Sequence, residues 1–415
     1  MRFLTAALSL VAALSCLAQA AEPINLGLNY PRTGSYKEEG LAQMRGALLA
    51  IDEINAQGGV LGRPLHLLSK DDASRPEKAL RNIDAMAADG AAMFFGGASS
   101  AVAIAAGERA AQKKLLYFGT LTYSNDTTGK DGQRYLFREC NSAWMSARAL
   151  GSYLGRTLPG KRYFYVTANY TWGLTTESSL RHYTGTEDAA RHPSIKVPFP
   201  GARLSDYRDA LTQAAASKAD VLVLALFGED LVHAMRIADE LGLTRNHQII
   251  APNLTQSMVE LAGPGLMQGV IGTEPWTWQV PEREGSARGQ AFVRDFTQRY
   301  GVYPASSAAS AYSIVYQWAD AAKRSGSLDS DALVKALEGH RYSLLKGEQQ
   351  WRDFDHQNIQ RVYVVKVKPR DEVLRDPLHQ DYFEIVEHMD GPEAAPTLAE
   401  WQAERRAAGK PLTLQ

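Results

Sequence analysis

Short apolar runs alternate with longer stretches whose apolar positions recur every three or four residues. Ile24-Asn25-Leu26-Gly27-Leu28 reads as a strand, and Glu38 to Gln57 follows as an amphipathic helix with Leu41, Met44, Leu48, Ile51 and Ile54 on one face. Gly58-Gly59 ends that helix and Leu65 to Leu68 is the next strand. Ser74 is expected to cap a helix whose first turn holds Pro76, where no needed N–H is lost. Ala91 to Phe95 gives a third strand, Ser99 or Ser100 opens a third helix, and Leu115 to Phe118 gives a fourth strand. The alternation continues with strands at Arg162 to Thr167, Val221 to Phe227 and Gln248 to Ala251. Helices are expected at Trp172 to Tyr183, Leu204 to Ala216 and Leu231 to Leu241. Strand-helix alternation predicts parallel sheets covered on both faces, and right-handed crossovers make each a doubly wound layer. Seven or more such units exceed one comfortable sheet, so the pattern predicts two lobes.

The last third changes character. Ser286 to Tyr300 and Ser306 to Lys323 are helical with little strand between, and extended patterning returns in Arg361 to Val367. From Pro369 to Gln415 the chain is rich in Pro, Glu and Arg, and is expected to form a C-terminal extension lying over a lobe or partly mobile. The other end carries Met1-Arg2, an uncharged apolar run from Phe3 to Leu17, and Ala18-Gln19-Ala20. That order favours a secretory signal peptide, residues 1–20, over a membrane anchor, because a span needs about 20 apolar residues. Cys16 sits in a poor version of a lipid-attachment motif. With cleavage after Ala20 only Cys140 remains, which suits a bacterial periplasm and a packed thiol rather than a disulfide framework.

Composition narrows the partners. Across 415 residues, 22% are charged, and the formal net charge is −1. The charges form no basic stripe, so nucleic acid is not an expected partner and direct membrane insertion is not expected of the mature chain. The nine histidines are scattered and none forms the spaced His-Glu pattern of a metalloprotease. No hydrolase elbow, phosphate-cradling loop or dinucleotide fingerprint occurs, so no enzyme activity, metal or cofactor is expected. Glu38-Glu39, Asp71-Asp72 and Glu229-Asp230 read as carboxylates at helix N-termini, where the dipole favours them.

Candidate chemistry lies in loops at the C-terminal ends of the expected parallel strands, where open α/β sheets bind ligands. Gly96-Gly97-Ala98-Ser99-Ser100 follows one strand and Gly119-Thr120-Leu121-Thr122-Tyr123 the next. Glycines allow close backbone approach, while hydroxyls and free N–H groups can hold a carboxylate or carbonyl oxygen. A plain serine cap is the structural alternative for the first loop.

Several runs resemble the branched-chain amino-acid-binding family of bacterial solute receptors, the leucine/isoleucine/valine-binding type that feeds ABC importers. They are Pro31-Arg32-Thr33-Gly34, Ile54 to Pro64, Asp71 to Pro76, Tyr135 to Arg138 and Asn169 to Gly173. The resemblance covers about Ile24 to Lys368 and implies an α/β fold of two doubly wound Rossmann-like lobes joined by three hinge crossings, the type I periplasmic binding protein. Its lobes would be 22–141 with 277–346 and 142–276 with 347–368, leaving 369–415 as the extension. The crossings would fall near Asn141, Glu274 to Trp278 and Lys346 to Trp351. By the same resemblance Ser99 or Ser100 and the Thr120-Leu121-Thr122 loop would hold a ligand carboxylate, Trp172 would lie over the ligand, and Phe227 would add to that wall or simply pack in the core. The family usually offers a carboxylate where this chain has Asn253, and an amide cannot neutralise an ammonium. Either Glu229, Asp230 or Glu274 supplies the charge, or the ligand is not an α-amino acid. Tyr36, Trp276 and Trp278 hint at an aromatic or amide-bearing ligand. The resemblance thus implies a periplasmic, monomeric substrate-binding component that captures a small polar solute, an amino acid or related amide or carboxylate, and delivers it to an ABC permease at the inner membrane. A ligand sensor of the same fold and a secreted two-lobed enzyme are the alternatives.

Overall fold

The computed structural model describes residues 22–414. The expected signal peptide and Cys16 lie outside the described residues. Strands β1 (Ile24–Tyr30), β2 (Leu65–Asp71), β3 (Ala91–Gly96), β4 (Tyr117–Gly119) and β5 (Leu136–Arg138) form a parallel sheet in the order β2-β1-β3-β4-β5. A second sheet gathers β6 (Tyr163–Ala168), β7 (Ser194–Val197), β8 (Val221–Ala225), β9 (Gln248–Asn253) and β10 (Ile271–Glu274) as parallel strands. The short strands β11 (Arg341–Tyr342), β12 (Gln349–Trp351) and β13 (Asn358–Ile359) make a small third sheet. Antiparallel β14 (Val362–Val367) and β15 (Phe383–Met389) complete the second sheet, whose order is β15-β14-β10-β9-β8-β6-β7. Near-continuous burial along β6 and β8 is what a parallel strand covered on both faces requires.

The chain passes between the lobes three times. It leaves the first sheet after Arg138 and enters the second lobe with helix Ala143–Thr157. After Glu274 it returns, and helices Ala287–Tyr300 and Ser306–Ser325 pack on the first lobe, before β14 takes it back. Helix Ser306–Ser325 lies so close to helix Lys37–Ala56 that a Cβ at Gly46 would sit 2.1 Å from the Ala308 carbonyl oxygen. Arg288 ties the same layer together by donating to Glu53 and to the Tyr312 hydroxyl, each at 2.5 Å.

Local departures from the sequence pattern have specific causes. Ser74 is not the cap of helix Pro76–Ala88. Arg75 holds that position, and Ser74 lies in the left-handed region at φ +57° with its N–H donated to Asp72. Asp71 serves as a loop tie rather than a dipole partner, accepting from the N–H groups of Arg32, Thr33 and Ala73 and from Lys78. The tail beyond Pro369 supplies β15 to the second sheet and then helix Leu398–Ala407, whose Trp401 and Arg405 donate to carbonyls of Thr128, Gly129 and Gly132 in the first lobe. Cys140 is buried and accepts from the Thr122 N–H, and burial pushes its thiol up to about 12. Among the described residues no helix is long and apolar enough to cross a membrane.

Candidate ligand-binding cleft

Strand ends build the site. The C-terminal edges of β3 and β4 deliver the two small polar loops from one lobe, and those of β6, β8 and β9 deliver Trp172, Phe227 and Asn253 from the other. The lobes are closed on each other. Lys37 pairs with Glu229 at 2.7 Å, the Glu229 N–H donates to the Ser35 carbonyl at 3.1 Å, and the Ser124 and Thr171 hydroxyls meet at 2.7 Å. Deeper in, Glu39 of the first lobe accepts from the hydroxyls of Thr255 (2.6 Å) and Ser257 across the gap, and from Ser307 (2.7 Å) on its own side. It stands in the first turn of helix Lys37–Ala56, as its sequence position predicts, and its buried side chain also latches the lobes.

Aromatic rings fill the interface. Tyr36 meets Phe227 edge-on at 5.2 Å between centroids and stacks on Phe199 at 5.5 Å, while its hydroxyl lies 3.4 Å from that of Tyr170. Trp172 and Phe227 meet edge-on at 5.8 Å, and Tyr123 approaches Phe227 at 6.1 Å. Such edge-on pairs suit the ring quadrupole and add shape to an apolar wall. Trp276 and Trp278 belong elsewhere. The first donates to the Leu345 carbonyl beside Phe292 and the second stacks on Tyr303, so both support the crossing rather than the cleft.

The sequence-derived polar candidates divide by their partners. The Ser100 hydroxyl accepts from the Ser124 N–H and the Thr120 hydroxyl donates to the Gly97 carbonyl, so these two brace the loops. Leu121 is packed in the core. Ser99 is the N-cap residue of helix Ser100–Gln112 without a side-chain cap bond, and its hydroxyl is buried with no partner among the described residues, as are those of Thr122 and Tyr123. Asn253 accepts from the Trp172 indole at 3.0 Å and donates to Ser146 at 3.1 Å, fixing the ring's orientation. Asn141, at the first crossing, donates to the same serine and leaves its own oxygen unpartnered. Buried polar atoms without partners are rare and costly, which makes these hydroxyls and the Asn141 oxygen candidates for ligand contact. The sequence named neither Tyr123 nor Asn141 as a ligand contact, although Tyr123 ends one of the two candidate loops and Asn141 was expected at the first crossing.

A separate open cavity of about 650 Å³ lies outside the closed cleft, with Asp126, Lys130, Trp144, His182, Arg352 and Trp401 among its lining. Its mixed charges do not select one ligand class. Among the described residues no group of three or more His, Cys, Asp or Glu is placed to hold a metal.

Known proteins share this architecture. The chain is 24% identical over 365 residues to a Leu/Ile/Val-binding protein homolog of Brucella melitensis, covering 85% of each chain. It is 25% identical over 357 residues to an amino acid binding protein of Pseudomonas aeruginosa, covering 83% of this chain and 90% of that one. A crystal structure of a periplasmic binding protein from Burkholderia mallei superposes with a TM-score of 0.81 at 24% identity, over 91% of this chain and 97% of the other. The periplasmic binding protein family matches residues 23–372, which hold both sheets' parallel strands and every cleft residue named above, and the chain belongs to that family of solute-binding proteins.

Proposed function

We propose that this protein is the substrate-binding component of an ABC-type importer, capturing a small polar solute, an amino acid or a related amide or carboxylate, between its lobes. The observation that carries this reading is the closed interlobe interface, where the Trp172, Phe227 and Tyr123 rings meet and the buried hydroxyls of Ser99, Thr122 and Tyr123 have no partner among the described residues. A free N–H-bearing loop at a helix start suits a carboxylate, and the rings suit an apolar side chain. Relatives named for leucine, isoleucine and valine, and for amino acids, support the same solute class. In this reading the leader through Ala20 directs the chain to the periplasm, the mature protein works as a monomer without catalysis, and the closed form is what an inner-membrane permease recognises. The lobe division follows the crossings, with residues 369–415 attached across both lobes.

The test is a thermal-shift screen of the purified mature protein against amino acids, amides, short carboxylates and small aromatics. A bound solute raises the melting temperature by mass action, by about 2.7 kcal/mol of added stability at a hundredfold excess over Kd. A shift confined to members of these classes supports the proposal, and a flat response across them contradicts it.

A further inference from the structure

The three passages between the lobes are joined through one lysine. Lys346 lies in the loop between β11 and β12, and its ammonium donates at 2.6 Å to the Pro275 carbonyl, on the passage that follows β10. It also donates to the side-chain oxygen of Gln360, on the passage from β13 to β14. Gln360 in turn donates its amide N–H to the carbonyl of Glu139, on the passage that follows β5. Gln357 adds a second tie, accepting from Arg138 at 2.6 Å and donating to the Cys140 carbonyl at 2.8 Å. The tail closes over the same point, since a Cβ at Gly391 would lie 2.5 Å from the Gln360 backbone nitrogen.

Such a centre does not serve stability. Lys346 is 5% exposed and Gln360 1%, and among the described residues no carboxylate forms an ion pair with the ammonium. Burial pulls Lys346 down to about 8, with Glu139, Glu284 and Glu274 opposing that fall from a distance. Burying a cation without a paired carboxylate is destabilising, and an apolar side chain of the same size would fill the space at less cost. What an apolar group cannot do is hold acceptors from separate segments in fixed directions, as an ammonium with three N–H groups does. Buried polar groups that fix a register are retained for that reason.

We infer that Lys346 and Gln360 clamp the three passages in one register, so that the lobes turn about a single axis and close to a single geometry. The contacts across the gap need such a device. Glu39 meets Thr255 at 2.6 Å and Lys37 meets Glu229 at 2.7 Å, distances that tolerate little sideways drift of one lobe over the other. The clamp lies at the pivot, where a small error in register becomes a large displacement at the rim.

Double electron–electron resonance on the full mature chain, with no solute added, reads the distance between the lobes. Spin labels at Arg81→Cys on helix Pro76–Ala88 and at Asp209→Cys on helix Leu204–Ala216 report one lobe each, from exposed positions. Cys140 is buried and stays unlabelled. The native chain is expected to give narrow peaks. Lys346→Met with Gln360→Leu replaces the whole clamp by apolar groups. Its melting temperature is expected to stay near the native value, because both polar partners leave together, while the narrow peaks are lost to one broad distribution. Gln360→Glu keeps the acceptor for Lys346, gives the ammonium a carboxylate and loses the N–H that reaches Glu139. It is expected to melt cooperatively and to broaden the same distance. Native peak widths in either folded variant overturn the proposal. Where the double variant loses its cooperative melt, Gln360→Glu decides, a broad distribution sustaining the clamp and a native one overturning it.

Discussion

Asp72 sits behind the loop that Asp71 ties, 1% exposed, with one oxygen accepting from the Ser74 N–H at 2.7 Å and the other without a partner. Burial, reinforced by the neighbouring Asp71 charge, raises its carboxyl to about 7. The folded state therefore holds this proton more tightly than the unfolded chain, so its contribution to stability is present at low pH and is lost as pH rises from about 4 through about 7. Asp72→Asn keeps the acceptor for Ser74 and removes the charge. It is expected to melt higher than the native chain at about pH 8, by on the order of 2 kcal/mol, with the gap closing toward about pH 4. Thermal melts across that range check it, and a gap independent of pH would contradict it. The cleft residues show what single positions reveal. The placement of Ser99, Thr122, Trp172 and Asn253 beside strand ends could be read from the alternation and the resemblance, because each lies next in the chain to its strand. The latching role of Glu39 could not, since its partners Thr255 and Ser307 are 216 and 268 positions away and only the closed fold brings them in.

Among the elements, long amphipathic helices were plain in the sequence. Helix Leu204–Ala216 occupies the residues its periodicity predicts, and helix Lys37–Ala56 differs by one residue at each end. The three-residue strand β5 was not, because a run that short carries no period and is defined by its neighbours, whereas β4, equally short, falls at the end of the apolar run Leu115 to Phe118. The tail was harder still. β15 mixes charged and apolar residues without a clean alternation, its register with β14 shifting at a bulge, and that pairing shows only once the sheet exists. Helix Leu398–Ala407 is held by a Thr397–Glu400 capping box and by Trp401, which is 2% exposed, donates to the Thr128 carbonyl at 2.8 Å and packs against Phe354. Trp401→Ala removes that anchor, at a cost of about 3–5 kcal/mol if the tail melts with the whole. It is expected to lower the melting temperature and to speed proteolytic cleavage beyond Met389. Protease resistance equal to the native chain's would show that the tail does not depend on Trp401.

At the scale of the whole molecule, two lobes and their alternating layers were legible because the strand-helix rhythm is strong. How tightly the lobes meet was not, because it depends on contacts between distant loops. Gly228 illustrates this. It has φ +59° and ψ −137°, a conformation that disfavours a side chain, and a Cβ there would lie 2.5 Å from the Ser35 carbonyl oxygen and 2.6 Å from the Tyr36 ring. Gly228→Ala is expected to hold the lobes apart. Small-angle scattering should give a larger radius of gyration, and any solute that stabilises the native chain should bind at least about tenfold more weakly, since only the closed fraction binds. Native dimensions and affinity in this variant would show that closure tolerates the methyl group.

The tail's double attachment, through β15 to one lobe and through Trp401 and Arg405 to the other, bears on how the protein comes apart. A two-lobed chain linked only by its crossings can lose one lobe while the other persists, and then shows two melting steps. Here the last segment closes a ring around the hinge, so loosening either lobe strains the strap that also holds its neighbour. Calorimetric and van't Hoff enthalpies of the solute-free protein are therefore expected to agree, with both lobes melting as one cooperative unit.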